Sequence, residues 1–234
     1  MIDDTIAEDE GSAGSDARPP DPDVVTPDRV ARRALLDALA WAFLDNPMNV
    51  AIHGPRPARR LRANRAGLRA LVLDSGKWAV TRVIRHEGAV VGGFVVVPPG
   101  GFPLRSPSLS RILGCLVHQG LRAMDRWGRV TFELGQSHPI EAHWYLAVLG
   151  VVPWLHKRGF GSRLVADLDR IVGAGPWPVY LESDREASMR FYFARGFEVR
   201  DRMQPLDVPC WCLGRGFPGA DGDLCDSVRE RRAP

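Results

Sequence analysis

The sequence predicts one α/β domain built on a mixed sheet with helices packed over it. Three observations lead there. Apolar residues recur at helical spacing early and again mid-chain, but between residues 77 and 97 they form dense β-branched runs. Residues 143–151 (HWYLAVLGV) are almost continuously apolar, the character of a strand covered on both faces. Short strand-like and helical runs then alternate, giving the order α-α-β-β-α followed by β-α-β-α-β-β within 234 residues, a length that suits one domain.

Residues 1–25 are dominated by Asp, Glu, Gly, Ser and Pro, bury too little apolar surface to offset the entropy of ordering, and are expected to form a disordered acidic tail. Thr26-Pro27-Asp28 reads as a helix start, with a capping hydroxyl, proline at the first helical position and an acid in the first turn. Val30, Ala34, Leu35, Ala38, Leu39, Ala42 and Phe43 follow at helical spacing, and Asp45-Asn46-Pro47 is expected to end the helix. A second helix is expected over 58–73, with Arg62, Arg65 and Arg69 on one face and Leu61, Leu68, Leu71 and Val72 on another. Strands at 77–86 and 89–97 flank Glu87-Gly88, the mark of a hairpin. Helical spacing returns over 108–127 through Leu109, Ile112, Leu113, Leu116, Val117, Leu121 and Met124. After the 143–151 strand come a helix from about 161 to 172, a strand at 179–182, a helix over 185–194 and strands at 196–200 and 209–213. Residues 217–234 are expected to be a flexible tail, which leaves 26–216 as the folded domain.

Charge and cysteine usage narrow the classes. The net charge of +3 divides unevenly: residues 1–28 hold nine acids against one arginine, −8, which leaves +11 for the remainder and suggests an anionic ligand. No apolar run approaches the ~20 residues that span a bilayer, and the N-terminus is acidic where a signal peptide is basic and then apolar, so a cytoplasmic protein without a membrane partner is expected. The four cysteines are too few and too scattered for a disulfide framework, and Cys210 and Cys212 lack the second ligand pair of a structural zinc; they read as neighbours on one strand face, and no metal site is expected. The arginines at 56, 59, 60, 62, 65 and 69 come without interleaved aromatics, and all but two of the 31 basic residues are Arg, so the cluster reads as a solvated face and no nucleic-acid partner is expected.

The most informative segment follows the buried strand. From Leu149 to Ser162 the chain leaves the strand, turns, and opens a helix with His156, Lys157 and Arg158 beside Gly159 and Gly161. The first amides of a helix lack internal partners and carry roughly half a positive charge, and glycines remove the Cβ atoms that would hold a phosphate away. The natural ligand of such a turn is a pyrophosphate. Neither G-x-G-x-x-G nor a P-loop Gly-Lys-Ser/Thr occurs at this turn.

Further on, Leu181-Glu182-Ser183 ends a strand, Phe191-Tyr192 follows ten residues after Leu181, and Gly196-Phe197 opens another strand. The combination resembles the Gcn5-related N-acetyltransferase (GNAT) superfamily. The closest likeness is to puromycin N-acetyltransferase-like proteins, through WYLAVLGVVP (144–153), LES (181–183), FYFARGF (191–197) and WCL (211–213). The likeness runs from about 27 to 215 and is strongest after 140. It implies a single GNAT-type domain: a mixed, mostly antiparallel, twisted sheet of about six to seven strands flanked by helices, with splayed central strands. It implies acetyl-CoA as co-substrate and a small-molecule primary amine as acceptor, and it leaves a homodimer open.

Carried over by position, the resemblance places the pantetheine arm against backbone groups of Leu149 and Val151, with the Leu149 amide polarising the thioester carbonyl. The amides of His156, Lys157, Arg158, Gly159, Phe160, Gly161 and Ser162 would hold the pyrophosphate, Phe191 would pack on the pantetheine, and Tyr192 matches the general acid that protonates the leaving thiolate. The chain departs from the pattern at His156, where Gln or Arg is usual, at Lys157 in place of a glycine, and at Ser188, where relatives carry an Asn that contacts the cofactor. Glu182, ending a buried strand at the site, is the first candidate for the base, with His143 and Glu141 behind it. Trp41, Phe43, Asn46, Pro47 and Met48, with His143 and Tyr145, are candidates for the acceptor pocket. Two alternatives stand beside the enzyme: a non-catalytic CoA-binding sensor or partner-binding module, and an acetyltransferase of protein or peptide amines.

Overall fold

Strands β1 (Val24–Val25), β2 (Val80–His86), β3 (Ala89–Val97), β4 (Trp144–Val151), β5 (Val179–Ser183), β6 (Glu198–Met203) and β7 (Cys210–Arg215) form one sheet in the order β1-β2-β3-β4-β5-β7-β6. The computed structural model describes residues 21–74, 78–173 and 175–218; of the tails expected over 1–25 and 217–234, residues 1–20 and 219–234 lie outside the described residues. Every neighbouring pair of strands is antiparallel except β4 and β5, which run parallel. That pair meets only at Trp144↔Val179 and Tyr145↔Tyr180, while β4 continues to Val151. The two central strands therefore splay, and the sheet opens in its middle.

Helices cover both faces. Helices α6 (Phe160–Val172) and α7 (Glu186–Phe193) lie on one face over Phe94, Leu146, Val179 and Leu181, contributing Phe160, Leu164, Leu168, Met189 and Tyr192. On the other face α1 (Arg29–Ala42) and α3 (Pro57–Leu73) pack Leu35, Leu36, Leu39 and Val72 against Val83, Val95 and Val148. A third apolar cluster joins α2 (Pro47–His53) through Met48 and Ile52 to α5 (Leu121–Ser137) through Ala123 and Val130. Helix α1 lies close on the sheet because Gly93 and Gly150 face each other across β3 and β4. A Cβ on Gly150 would stand 2.9 Å from the Ala42 Cβ and 3.0 Å from Leu39, and one on Gly93 would stand 2.7 Å from Leu35. The close approach brings the C-terminal end of α1 to the mouth of the splay.

The remaining differences from the sequence reading have local causes. Residues 21–25, assigned to the tail by composition, are ordered: β1 pairs with β2, and Asp21 and Asp23 bind the Arg163 guanidinium at 2.5 and 2.6 Å. The cap of α1 is Asp28, whose carboxylate accepts the Ala31 amide at 2.7 Å, rather than Thr26. Pro47 ends nothing; as the first residue of α2 it opens a helix where a loop was expected. The helix expected over 108–127 is two, α4 (Leu109–Gln119) and α5, divided at Gly120 with φ 82°. Arg60, expected on a solvated face, is 5% exposed and donates to the Leu44, Gly54 and Pro55 carbonyls and to Asp45. Cys210 and Cys212 are buried on β7. No helix among the described residues is long and apolar enough to cross a membrane.

Candidate active site

The splay of β4 and β5 makes a cavity of about 450 Å³, walled by residues 146–151 of β4, by Leu181–Ser183 of β5, by the turn into α6 and by Ser188, Phe191 and Tyr192 of α7. The Val152 amide donates to Val91 on β3 at 2.9 Å, so by strand alternation Leu149 and Val151 turn their amides and carbonyls away from β3, into the gap. The Val151 carbonyl confirms this direction, since it accepts from His156 Nε2 at 2.8 Å.

A tight turn shapes the far end of the gap. Lys157 has φ 62° and Gly159 φ 84°, and Gly159 is the N-cap of α6. Nothing lies within 4 Å of a Cβ built on Gly159, so the space over the first amides of α6 is open, and an L side chain would be strained there. Arg195, which the sequence reading missed, donates to Ser162 Oγ at 2.6 Å and lies 3.7 Å from the Phe191 ring centroid. It thus adds a guanidinium beside the turn.

The two catalytic candidates reach the gap from opposite faces of the sheet. Tyr192 sits among the residues under α6 and α7, 8% exposed, and burial pushes its hydroxyl pKa up to about 12, with the Arg195 charge pulling the other way. Glu182 faces the other side, where its Oε1 lies 3.4 Å from His138 Nδ1. His138 Nε2 is 3.0 Å from His143 Nε2, and His143 Nδ1 is 2.6 Å from the Glu141 carbonyl. Phe102 stacks on the His138 ring at 3.4 Å between centroids, and Tyr145 and Tyr180 meet it edge-on. A carbonyl only accepts, so His143 Nδ1 carries the proton. Burial holds the His143 pKa below its usual value, so its Nε2 is a lone pair that accepts from His138 Nε2–H.

A second cavity, about 480 Å³, adjoins the first through Phe43, Ala147 and Val148, which line both. Its walls come from α2 (Asn49, His53), α3 (Ala63, Asn64, Gly67, Leu68), α4 (Arg111, Ile112, Cys115, Gln119) and α5 (Met124, Trp127, Thr131). Asp184, just beyond β5, ties the two cavities together: its carboxylate accepts the Asn46 side chain at 2.9 Å and the Met48 amide at 2.8 Å. The second bond caps α2 from a residue distant in sequence. Burial raises the Asp184 pKa against those hydrogen bonds.

No protein-family model matches the chain. Among solved structures it is similar to the histone acetyltransferase HPA2 and related acetyltransferase from Corynebacterium glutamicum, at 17% identity over 85% of this chain and 97% of that one, with a TM-score of 0.58. It is similar to the polyamine N-acetyltransferase of Drosophila melanogaster at 18% identity, 82% and 97% coverage and a TM-score of 0.58. The PaiA N-acetyltransferase of Thermoplasma acidophilum, solved in complex with coenzyme A, matches at 10% identity, 83% and 98% coverage and a TM-score of 0.52. The chain has the GNAT fold.

Within the GNAT fold the residues named from the sequence fall into two groups. Leu149, Val151, His156, Lys157, Gly159, Phe160, Gly161, Ser162, Glu182, Ser188, Phe191 and Tyr192 line the gap; Arg158 does not. Of the acceptor-pocket candidates, Phe43 lines both cavities and Asn46 the gap. Trp41 lines neither and packs edge-on against Trp154. Met48 is buried in the α2–α5 cluster and meets the site only through its backbone amide. His143 and Tyr145 stand behind the gap, around His138. The residues lining the second cavity that the sequence reading missed, His53, Asn64, Gln119 and Trp127, sit at ordinary helical positions with no local motif to mark them.

Proposed function

We propose that the chain transfers an acetyl group from acetyl-CoA to a primary amine of a small molecule, by direct attack in a ternary complex. The carrying observation is that the gap between β4 and β5 and the cavity beyond it join at Phe43, Ala147 and Val148, so a thioester in one and an amine in the other meet beside Leu149. The fold supports it, because neighbours include a polyamine N-acetyltransferase and an N-acetyltransferase solved with coenzyme A. The kinship to puromycin N-acetyltransferase-like proteins rests on the sequence motifs alone.

The residues suit the chemistry. Backbone groups of Leu149 and Val151 and the open amides at Gly159–Ser162 would hold the pantetheine and the pyrophosphate, with Lys157 and Arg195 supplying charge nearby. The amine nitrogen attacks the thioester carbonyl, a C–N bond forms and the C–S bond breaks. Tyr192 stays protonated to high pH and gives its proton to the departing thiolate. Glu182 accepts the proton lost by the amine, with the His138 and His143 imidazoles lined up behind its carboxylate. Acid and base thus act from opposite faces of the gap.

One contact favours the sensor reading: His156 Nε2–H occupies the Val151 carbonyl that the pantetheine would use. A single pair of measurements separates the readings. Acetyl-CoA at 100 times its Kd stabilises a binding protein by about 2.7 kcal/mol, which a thermal shift detects. Thiol release with a panel of amines, aminonucleosides included, then marks an enzyme; a shift without thiol release supports the sensor, and no shift at millimolar acetyl-CoA removes both.

A further inference from the structure

The second cavity also bears on what the acceptor is, an inference that rests on the acetyl-transfer reading. We propose that the acceptor is a monoamine carried on an aromatic or aliphatic body without a second positive charge. The walls are largely apolar, from Phe43, Leu68, Ile112, Met124 and Trp127, and no carboxylate lines them among the described residues. Their one formal cation, Arg111, is already matched by Asp74 through two bonds of 3.0 and 2.9 Å.

His53 is held neutral. Burial lowers its pKa to about 4, and the Arg59 and Arg60 charges push the same way. A second cationic centre in this cavity would meet the same desolvation and the same repulsion.

The polar groups that remain suit uncharged partners. The Trp127 indole N–H can only donate, so it takes the lone pair of His53 Nε2 at 3.4 Å and leaves the imidazole proton on Nδ1. That Nδ1–H is buried with no hydrogen-bond partner among the described residues, as is the Oδ1 of Asn64. The amide nitrogens of Asn49, Asn64 and Gln119 each give one of their two hydrogens to the Phe43, Ala40 and Ala63 carbonyls, at 2.9, 3.3 and 3.1 Å. The polar side chains lining the cavity, those of Asn49, Asn64, Gln119 and Thr131, thus carry uncharged donors and acceptors only. Neutral N–H, O–H or carbonyl groups on an aromatic body match that set, with the reacting amine pointing past Ala147 and Val148 to the gap.

The test is equilibrium dialysis of tryptamine and spermidine against the full chain with saturating CoA, run beside thiol release from acetyl-CoA. Tryptamine should be retained and acetylated with kcat/KM at least ~10-fold above spermidine, a difference of about 1.4 kcal/mol. Met124→Glu, which puts a carboxylate on the wall, should shift that ratio at least ~10-fold toward spermidine while leaving the thermal shift with acetyl-CoA unchanged. Retention of spermidine equal to or above that of tryptamine, or of neither amine, overturns the proposal. Thermal shift and thiol release report on acetyl transfer separately: tryptamine retained without either leaves the acceptor class standing and removes the enzyme reading.

Discussion

The two cavities are made of different material. Where a cofactor would lie, the surface at the strand edge of Leu149 and Val151 and at the turn around Gly159 is backbone. On the acceptor side it is almost wholly side chains, delivered by four helices and one residue pair of β4. Backbone recognition needs a particular local conformation and tolerates varied side chains. Side-chain recognition needs particular residues brought together by topology. The departures at His156, Lys157 and Ser188 fall on the side where identity matters least.

The largest effect separates chemistry from recognition on the cofactor side. Tyr192→Phe should lower kcat on the order of 10³-fold while acetyl-CoA binding changes by less than about twofold, as read by steady-state kinetics and calorimetric titration. If affinity collapses as well, the cofactor side depends on side chains after all. Next comes pH on the acceptor side. His53 titrates near 6.5 unfolded and at about 4 folded, so the unfolded chain binds the extra proton, and stability present above pH 6.5 is lost as pH falls toward 4. That difference corresponds to roughly 3 kcal/mol. Denaturant midpoints between pH 7 and 4.5 should show that loss in the wild type and a shallower one in His53→Gln.

Smaller effects sharpen the division. Gly159→Ala puts a Cβ at φ 84°, costs about 1–2 kcal/mol and should weaken acetyl-CoA binding roughly tenfold, because it distorts the backbone proposed to hold the pyrophosphate. Arg158→Ala, whose side chain lies outside the gap lining, should change the acetyl-CoA KM by less than about twofold. A larger change at Arg158 than at Gly159 would reverse the comparison.

The same contrast explains what could be read from the sequence. Strand β3, the β2–β3 hairpin, β4, α6, β5 and α7 announced themselves through local periodicity, and the glycine turn through local chemistry. Helix α2 was missed because a proline after a helical run can mark the end of one helix or the start of the next, and only Asp184 from afar decides which by capping the Met48 amide. Strand β1 was hidden in an acidic segment whose partners, β2 and Arg163, are remote in sequence. The break at Gly120 left no mark in the apolar pattern, because helical spacing runs through it from Val117 to Leu121 and Met124. His138 was missed because its role depends on Glu182 and His143 meeting it across β4 and β5. The acceptor walls left no trace, since each wall residue is an unremarkable member of its own helix.

Asp184 gives this architecture a built-in reporter. Its carboxylate hangs from the strand that forms one lip of the cofactor gap, yet it holds the amide of Met48 at the start of the helix that roofs the acceptor cavity. Exchange of that single amide with deuterated solvent therefore reads the openness of both compartments together. A ligand that steadies the β5 lip should slow exchange at Met48 without touching α2, so one spectral line can follow the order in which the two substrates enter.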